Sequence, residues 1–95
     1  MSHVAYPKPP KRTRSRIAYD RVRKDVAGRS GERCEIGSSV CELRGTECHH
    51  LLPRAQGGRD EIGNCVWTCA PCHVYVHAHP AESYERGWLR HREAS

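Results

Sequence analysis

Residues 46–77 read TECHHLLPRAQGGRDEIGNCVWTCAPCHVYVH, with four histidines, four cysteines and one asparagine. This density of ligand-type side chains constrains the fold more than any apolar pattern in the chain. It leaves three architectures open: a disulfide scaffold, a zinc-stabilised reader of nucleic acid, or a metal-dependent catalytic site. The rest of the sequence calls for a staple of some kind. The chain has 95 residues, no Phe, one Met and two Trp, so its apolar core is thin. Small domains of that sort often depend on a metal or on disulfides.

Cysteine spacing favours a metal. Cys69 and Cys72 form a C-x2-C pair, CAPC, which sets two thiolates on one ion. Cys34 and Cys41 bracket the longer spacer of CEIGSSVC, and a loop of that size can still bring two sulfurs together. Four thiolates around tetrahedral Zn²⁺ make a closed structural site, whose binding free energy is also folding free energy. Free buried thiols or disulfides are the competing outcome. Cys48 and Cys65 lack such spacing and read as small core residues. A two-Cys, two-His finger needs about a dozen residues between its cysteine and histidine pairs. Here His73 directly follows Cys72, so that pattern fails and the histidines need another role.

His73 and His77 are spaced i, i+4, which puts both imidazoles on one face of a helix and suits one divalent metal. For the pair alone, the plainer alternative is two surface histidines with no shared task. His49 and His50 add a second half. If residues 46–52 are extended, their side chains point to opposite faces of the strand. One can face a metal while the other faces a different atom, such as an attacking water. The joint pattern of His-His, a Gly-Gly loop, Asn64, C-x2-C-H and a further x3-H is far more specific than any of its parts.

The remaining chain supplies the frame. Pro7, Pro9 and Pro10 forbid a regular helix near the start, so residues 1–14 read as a flexible basic arm. Residues 15–28 read as a helix with Ala18, Tyr19, Val22 and Val26 on one face, ended by Gly28 and Gly31. Residues 34–45 form a cysteine-bearing loop. Residues 46–52 and 65–69 are short strands joined by the loop PRAQGGRDEIG. Pro71 then opens a helix that runs to about His79, where Pro80 stops it. AESYERGWLRH adds a last short helix, with Tyr84, Trp88 and Leu89 turned inward.

The net charge is +5, and Lys8, Lys11, Arg12, Arg14 and Arg16 cluster early. Such a segment favours a polyanionic partner, most often nucleic acid, although a solubilising tail would look the same. No stretch approaches the ~20 apolar residues a membrane span needs, and no export signal precedes the domain. The expected compartment is the cytoplasm, where disulfides are rare.

The text ECHHLLPRAQGGRDEIGNCVWTCAPCHVYVHAHPAESYERGWL resembles the HNH endonucleases, nucleases built on a ββα-metal (His-Me finger) core. RVRKDVAGRSGERCEIGSSVC ahead of it looks like the lead-in of many bacterial and phage members. The fold expected is a small α+β domain, residues 15–95: a ββα-metal core stapled by a structural zinc, with flanking helices and the basic arm. The resemblance implies that His49, His73 and His77 hold a catalytic divalent metal (Mg²⁺, Mn²⁺, Ni²⁺ or Zn²⁺). It makes His50 the general base and Asn64 the brace of the loop that aims it. Cys34, Cys41, Cys69 and Cys72 would hold the structural zinc. Two departures stand out. Many zinc-bearing members open with C-x2-C, but Gly37 holds the place of the second cysteine, so Cys41 must substitute. Cys65 stands where leucine often follows the asparagine.

The activity implied is hydrolysis of DNA phosphodiesters to a 5′ phosphate and a 3′ hydroxyl. A neutral histidine suits the base role near neutral pH, and a carbonyl oxygen accepting from its other ring nitrogen would fix the tautomer. Arg54 and Arg59 are the expected phosphate contacts, against the plainer reading of solvated loop charges. Two rivals remain at this stage. One is a zinc-stabilised nucleic-acid-binding module without catalysis. The other is a nuclease subunit that acts only with a partner, such as a phage DNA-packaging machine.

Overall fold

The computed structural model describes residues 13–92. It is a small α+β fold of three helices and a two-stranded antiparallel sheet. Helix α1 spans Arg14–Arg29, strand β1 Glu47–His50, strand β2 Cys65–Thr68, helix α2 Ala70–Ala78 and helix α3 Pro80–Arg86. Single 3-10 turns at Arg54–Gln56 and Ile62–Asn64 shape the connection between the strands. Of the basic arm, only Thr13 and Arg14 are among the described residues. Thr13 caps α1, its hydroxyl oxygen accepting the Arg16 N–H at 3.2 Å. No helix among the described residues is long and apolar enough to cross a membrane.

Helix α1 runs past Gly28 and ends where Gly31 (φ 63°) and Glu32 (φ 64°) reverse the chain. Its apolar stripe is only half used for packing. Val26 is fully buried and Val22 packs beside it, against Cys65, Trp67 and Cys48 on one face of the sheet. Ala18 is exposed instead, because the first turns of α1 extend beyond that cluster. Burying a valine of this kind contributes roughly 1.5–3 kcal/mol. Arg29 pins the other end: its guanidinium meets Glu35 at 2.7 Å and the Cys65 carbonyl at 2.8 Å. Glu35 in turn accepts the Trp67 N–H at 2.9 Å.

The second core lies on the opposite side of the sheet. Ile36, Cys69, Cys72, Val76 and Leu89 are buried there, with Cys34, Cys41, Val66, Tyr84 and Trp88 packed around them. Helix α2 ends at Ala78, and Pro80 both forbids its continuation and opens α3. Gly87, at φ 79°, closes α3 and turns Trp88 and Leu89 back onto α2. The Arg90 N–H then bonds the Leu51 carbonyl at 2.8 Å, tying the segment after α3 to the end of β1.

Strand register is Glu47↔Thr68, Cys48↔Trp67, His49↔Val66 and His50↔Cys65. The loop after β1 folds back tightly, and a Cβ at Gly58 would collide with the Leu52 carbonyl oxygen. Gly58→Ala should therefore destabilise the domain by about 1–3 kcal/mol, the usual range for forced overpacking. Urea unfolding of the two proteins measures it, and equal midpoints would show that the loop can yield at no cost.

Candidate metal centre and active site

An extended strand sends alternate side chains to opposite faces. Glu47 and His49 therefore share the face toward α2, and Cys48 and His50 share the face toward α1. On the α2 side, His49 meets His73 and His77, which lie one turn apart on that helix. The three ring centroids form a near-equilateral triangle, with separations of 5.2, 5.5 and 5.1 Å. One nitrogen from each lies within 4.8 Å of the others, so the set could hold one cation.

Two hydrogen bonds decide which nitrogens remain as donors. His49 Nε2 lies 2.7 Å from the Trp88 carbonyl, an acceptor only, so Nε2 carries the proton and Nδ1 keeps its lone pair. His73 Nδ1 lies 2.6 Å from a Glu47 carboxylate oxygen, which leaves His73 Nε2 free. Outer partners of this kind are what ligating histidines use to fix their tautomers. Burial pulls the pKa of His49 down to about 4, and its histidine neighbours reinforce this against the opposing effect of the Trp88 carbonyl. The ring is thus neutral at physiological pH, as a ligand must be. Three imidazoles with no carboxylate among them suit transition metals better than Mg²⁺.

On the α1 side, His50 Nε2 lies 2.7 Å from Asp60 Oδ1. The acceptor is a carboxylate, where the sequence suggested a carbonyl. The same oxygen accepts from Arg54 Nε at 2.9 Å. Partial burial alone would raise the Asp60 carboxyl, but the bonds from His50 and Arg54 outweigh it and hold the group below its ordinary value. The Arg54 guanidinium lies 4.4 Å from the centre of the Tyr19 ring, which stacks on His50 at 5.9 Å and 21°. Asn64 spans the loop: its Oδ1 accepts the Leu52 N–H at 2.9 Å, and its Nδ2 donates to the carbonyls of Leu52 and Arg59 at 3.1 and 3.0 Å.

Both sides open onto one cleft of about 260 Å³, lined by Tyr19, Cys48, His49, His50, Pro53, Arg54, His73 and His77. Arg54 belongs to its wall. Arg59 does not: its exposed guanidinium faces Glu61 at 3.8 Å. Glu47, Asp60 and Tyr19 join the site without having been singled out in the sequence. Glu47 was within reach of pattern reasoning, since it is two residues before His49 on a strand.

The sulfurs of Cys34, Cys41, Cys69 and Cys72 lie within 4.8 Å of one another, and could hold a zinc. A tetrahedron with Zn–S bonds of ~2.3 Å has edges of about 3.8 Å, so the set fits. Gly37, the departure from C-x2-C, adopts φ 66° and turns its N–H toward Cys34. Burial opposes charge on Cys34, but N–H groups of Gly37, Cys69 and Ile36 outweigh it and bring the thiol down to about 6. Glu42 N–H bonds Cys69 Sγ at 3.4 Å, and the Ser38 hydroxyl lies 3.1 Å from Cys72 Sγ. Cys48 and Cys65 stay outside the cluster: Cys65 is buried in the core beneath α1, and Cys48 is half-buried, packing against that core and bordering the cleft, its thiol pushed up to about 12 by burial.

A ββα unit with a histidine triad that could hold a cation, beside a four-cysteine cluster, is the arrangement that the resemblance to HNH nucleases implied. The family model described as HNH endonuclease matches residues 32–79, about half the chain. The chain belongs to the HNH endonuclease family. A search of curated proteins found no match.

Proposed function

We propose that this protein is an HNH endonuclease that hydrolyses DNA phosphodiester bonds, with His50 as general base. The observation that carries the reading is the shared cleft: the histidine triad opens onto it from one face of β1 and His50 from the other. A module that only bound nucleic acid would have no use for the second arrangement. His49, His73 and His77 would hold the catalytic divalent metal, and Cys34, Cys41, Cys69 and Cys72 the structural zinc. When bound, the catalytic cation would supply Lewis-acid stabilisation of negative charge on the phosphate and the leaving oxygen.

The chain's own groups do the rest. His50 accepts a proton from water as the water oxygen's electron pair forms the new bond to phosphorus. The 3′ oxygen departs with the electron pair of the broken P–O bond and takes a proton from solvent, leaving a 3′ hydroxyl and a 5′ phosphate. Asn64 keeps the loop closed around His50. Arg54, at the cleft, contacts the phosphate with the face of its guanidinium not engaged by Asp60, and Arg59 adds charge further out. Residues 15–95 form the nuclease domain, and the basic residues before it add affinity that weakens with salt.

Nicking of supercoiled plasmid tests the reading. Wild type should cleave with Mn²⁺, Ni²⁺ or Zn²⁺, less well with Mg²⁺, and not with EDTA, and His73→Ala should abolish the response to metal. Folded wild type that fails to cleave with any of these cations would leave a binding module in place of an enzyme. Glu47→Gln should separately weaken binding of a single Ni²⁺ at the triad by about 10–100-fold, the usual effect of losing an outer partner. Calorimetric titration of zinc-loaded protein reads it, and unchanged affinity would remove Glu47 from the centre.

A further inference from the structure

His50 needs more than a place in the cleft. A neutral imidazole is a donor at one nitrogen and an acceptor at the other, and only the acceptor can take a proton. The contacts around the ring settle which is which. Asp60 Oδ1, 2.7 Å from Nε2, can only accept, so the proton sits on Nε2 and the lone pair on Nδ1. The ring is held on a second side by Tyr19, and Arg54 links the two supports, bonded to Asp60 through Nε and lying over the Tyr19 ring. The four side chains come from α1, β1 and the loop after it, and close a circuit: Tyr19 on His50, His50 to Asp60, Asp60 to Arg54, Arg54 on Tyr19.

We infer that Asp60 is a positioning residue: it fixes the His50 tautomer and ring orientation so that Nδ1 is the atom that takes the proton from water. When that proton arrives, the imidazolium carries N–H at both nitrogens, and the Asp60 carboxylate faces the new charge. An isolated Arg54–Asp60 pair would be an ordinary half-exposed ion pair worth little. The shared oxygen makes it instead the anchor of the base. This inference rests on the nuclease reading for its consequence, but not for its geometry.

The test uses the full chain with its metals bound. In single-turnover cleavage, Asp60→Ala should lower the rate constant by on the order of 10²-fold with DNA affinity changed little. In a His50→Ala background the same substitution should cost nothing further, because its effect passes through His50. Equal losses in both backgrounds, or a loss expressed in DNA affinity alone, would overturn the inference and leave Asp60 as a support for Arg54 or for the loop. Nitrogen-15 NMR of the zinc-loaded protein gives a readout free of activity. The His50 ring proton should appear on Nε2, protected from exchange, and lose that protection in Asp60→Ala. A proton on Nδ1 in wild type would overturn the inference directly. If wild type cleaves nothing, the nuclease reading fails and this NMR result alone decides the role of Asp60.

Discussion

His50→Ala should fold as wild type does, bind DNA with little change, and cleave it about 10²- to 10⁴-fold more slowly, the usual range for a lost general base. The expectation of intact folding comes from where the ring sits. It is partly exposed at the mouth of a cleft, and neither buried core includes it. Its removal takes away the stack on Tyr19 and the bond to Asp60, both near the surface. Asn64 still closes the loop through backbone groups of Leu52 and Arg59, so the cleft keeps its shape. Single-turnover cleavage of an end-labelled duplex at saturating metal measures the rate, and thermal unfolding checks the fold. A variant that cleaves at the wild-type rate would move the base elsewhere. Arg54→Ala, by contrast, should weaken substrate binding and also slow cleavage, because Arg54 holds the Asp60 carboxylate that supports His50.

Loss of the four-cysteine centre should have the largest effect on stability. Cys69 and Cys72 are 1% and 0% exposed, and they form the middle of the core that joins α2 and α3 to the sheet. Apparent zinc-binding free energies in small structural sites run to about 10–16 kcal/mol, as large as the whole stability of a typical domain. Without the ion, four thiols that share so small a volume keep only modest apolar contacts. Cys69→Ser, or exhaustive chelation of wild type, should therefore abolish cooperative unfolding near room temperature, and zinc should restore it in wild type only. Circular dichroism melts with and without chelator measure this. An unchanged melt after verified metal removal would make the cluster a packed set of free thiols.

Much of this centre was legible because metal chemistry demands fixed spacings. C-x2-C and i, i+4 histidines are local patterns, and once residues 46–52 are read as a strand the separation of His49 from His50 follows from their adjacency. Cys41 was legible only as a substitute, and its reach to the other sulfurs depended on a left-handed turn at Gly37. The partners around the histidines were harder. Asp60 meets His50 across a loop with no period, and Tyr19 arrives from a helix some thirty positions earlier. The helical stripe that includes Tyr19 looked like packing, and half of it is. Its first turns lie beyond the core, so the same periodicity delivers a core valine at Val26 and a cleft aromatic at Tyr19. The sequence favoured Arg54 over Arg59 for the phosphate, and the fold sets Arg54 at the cleft and turns Arg59 to Glu61.

The alternation of β1 also acts as a partition. The fold brings the four imidazoles of His49, His50, His73 and His77 to one cleft, and a divalent cation would ordinarily capture any neutral nitrogen in reach. In the proposed site His50 would escape capture, because one peptide unit turns it to the opposite face of the two-stranded ribbon from His49. A slip of one residue in the pairing with β2 would exchange the two, handing the water-facing imidazole to the ion and exposing the former ligand to solvent. On the proposed reading, the register of this ribbon would decide which histidine is a ligand and which stays free to react, although both border the same cleft.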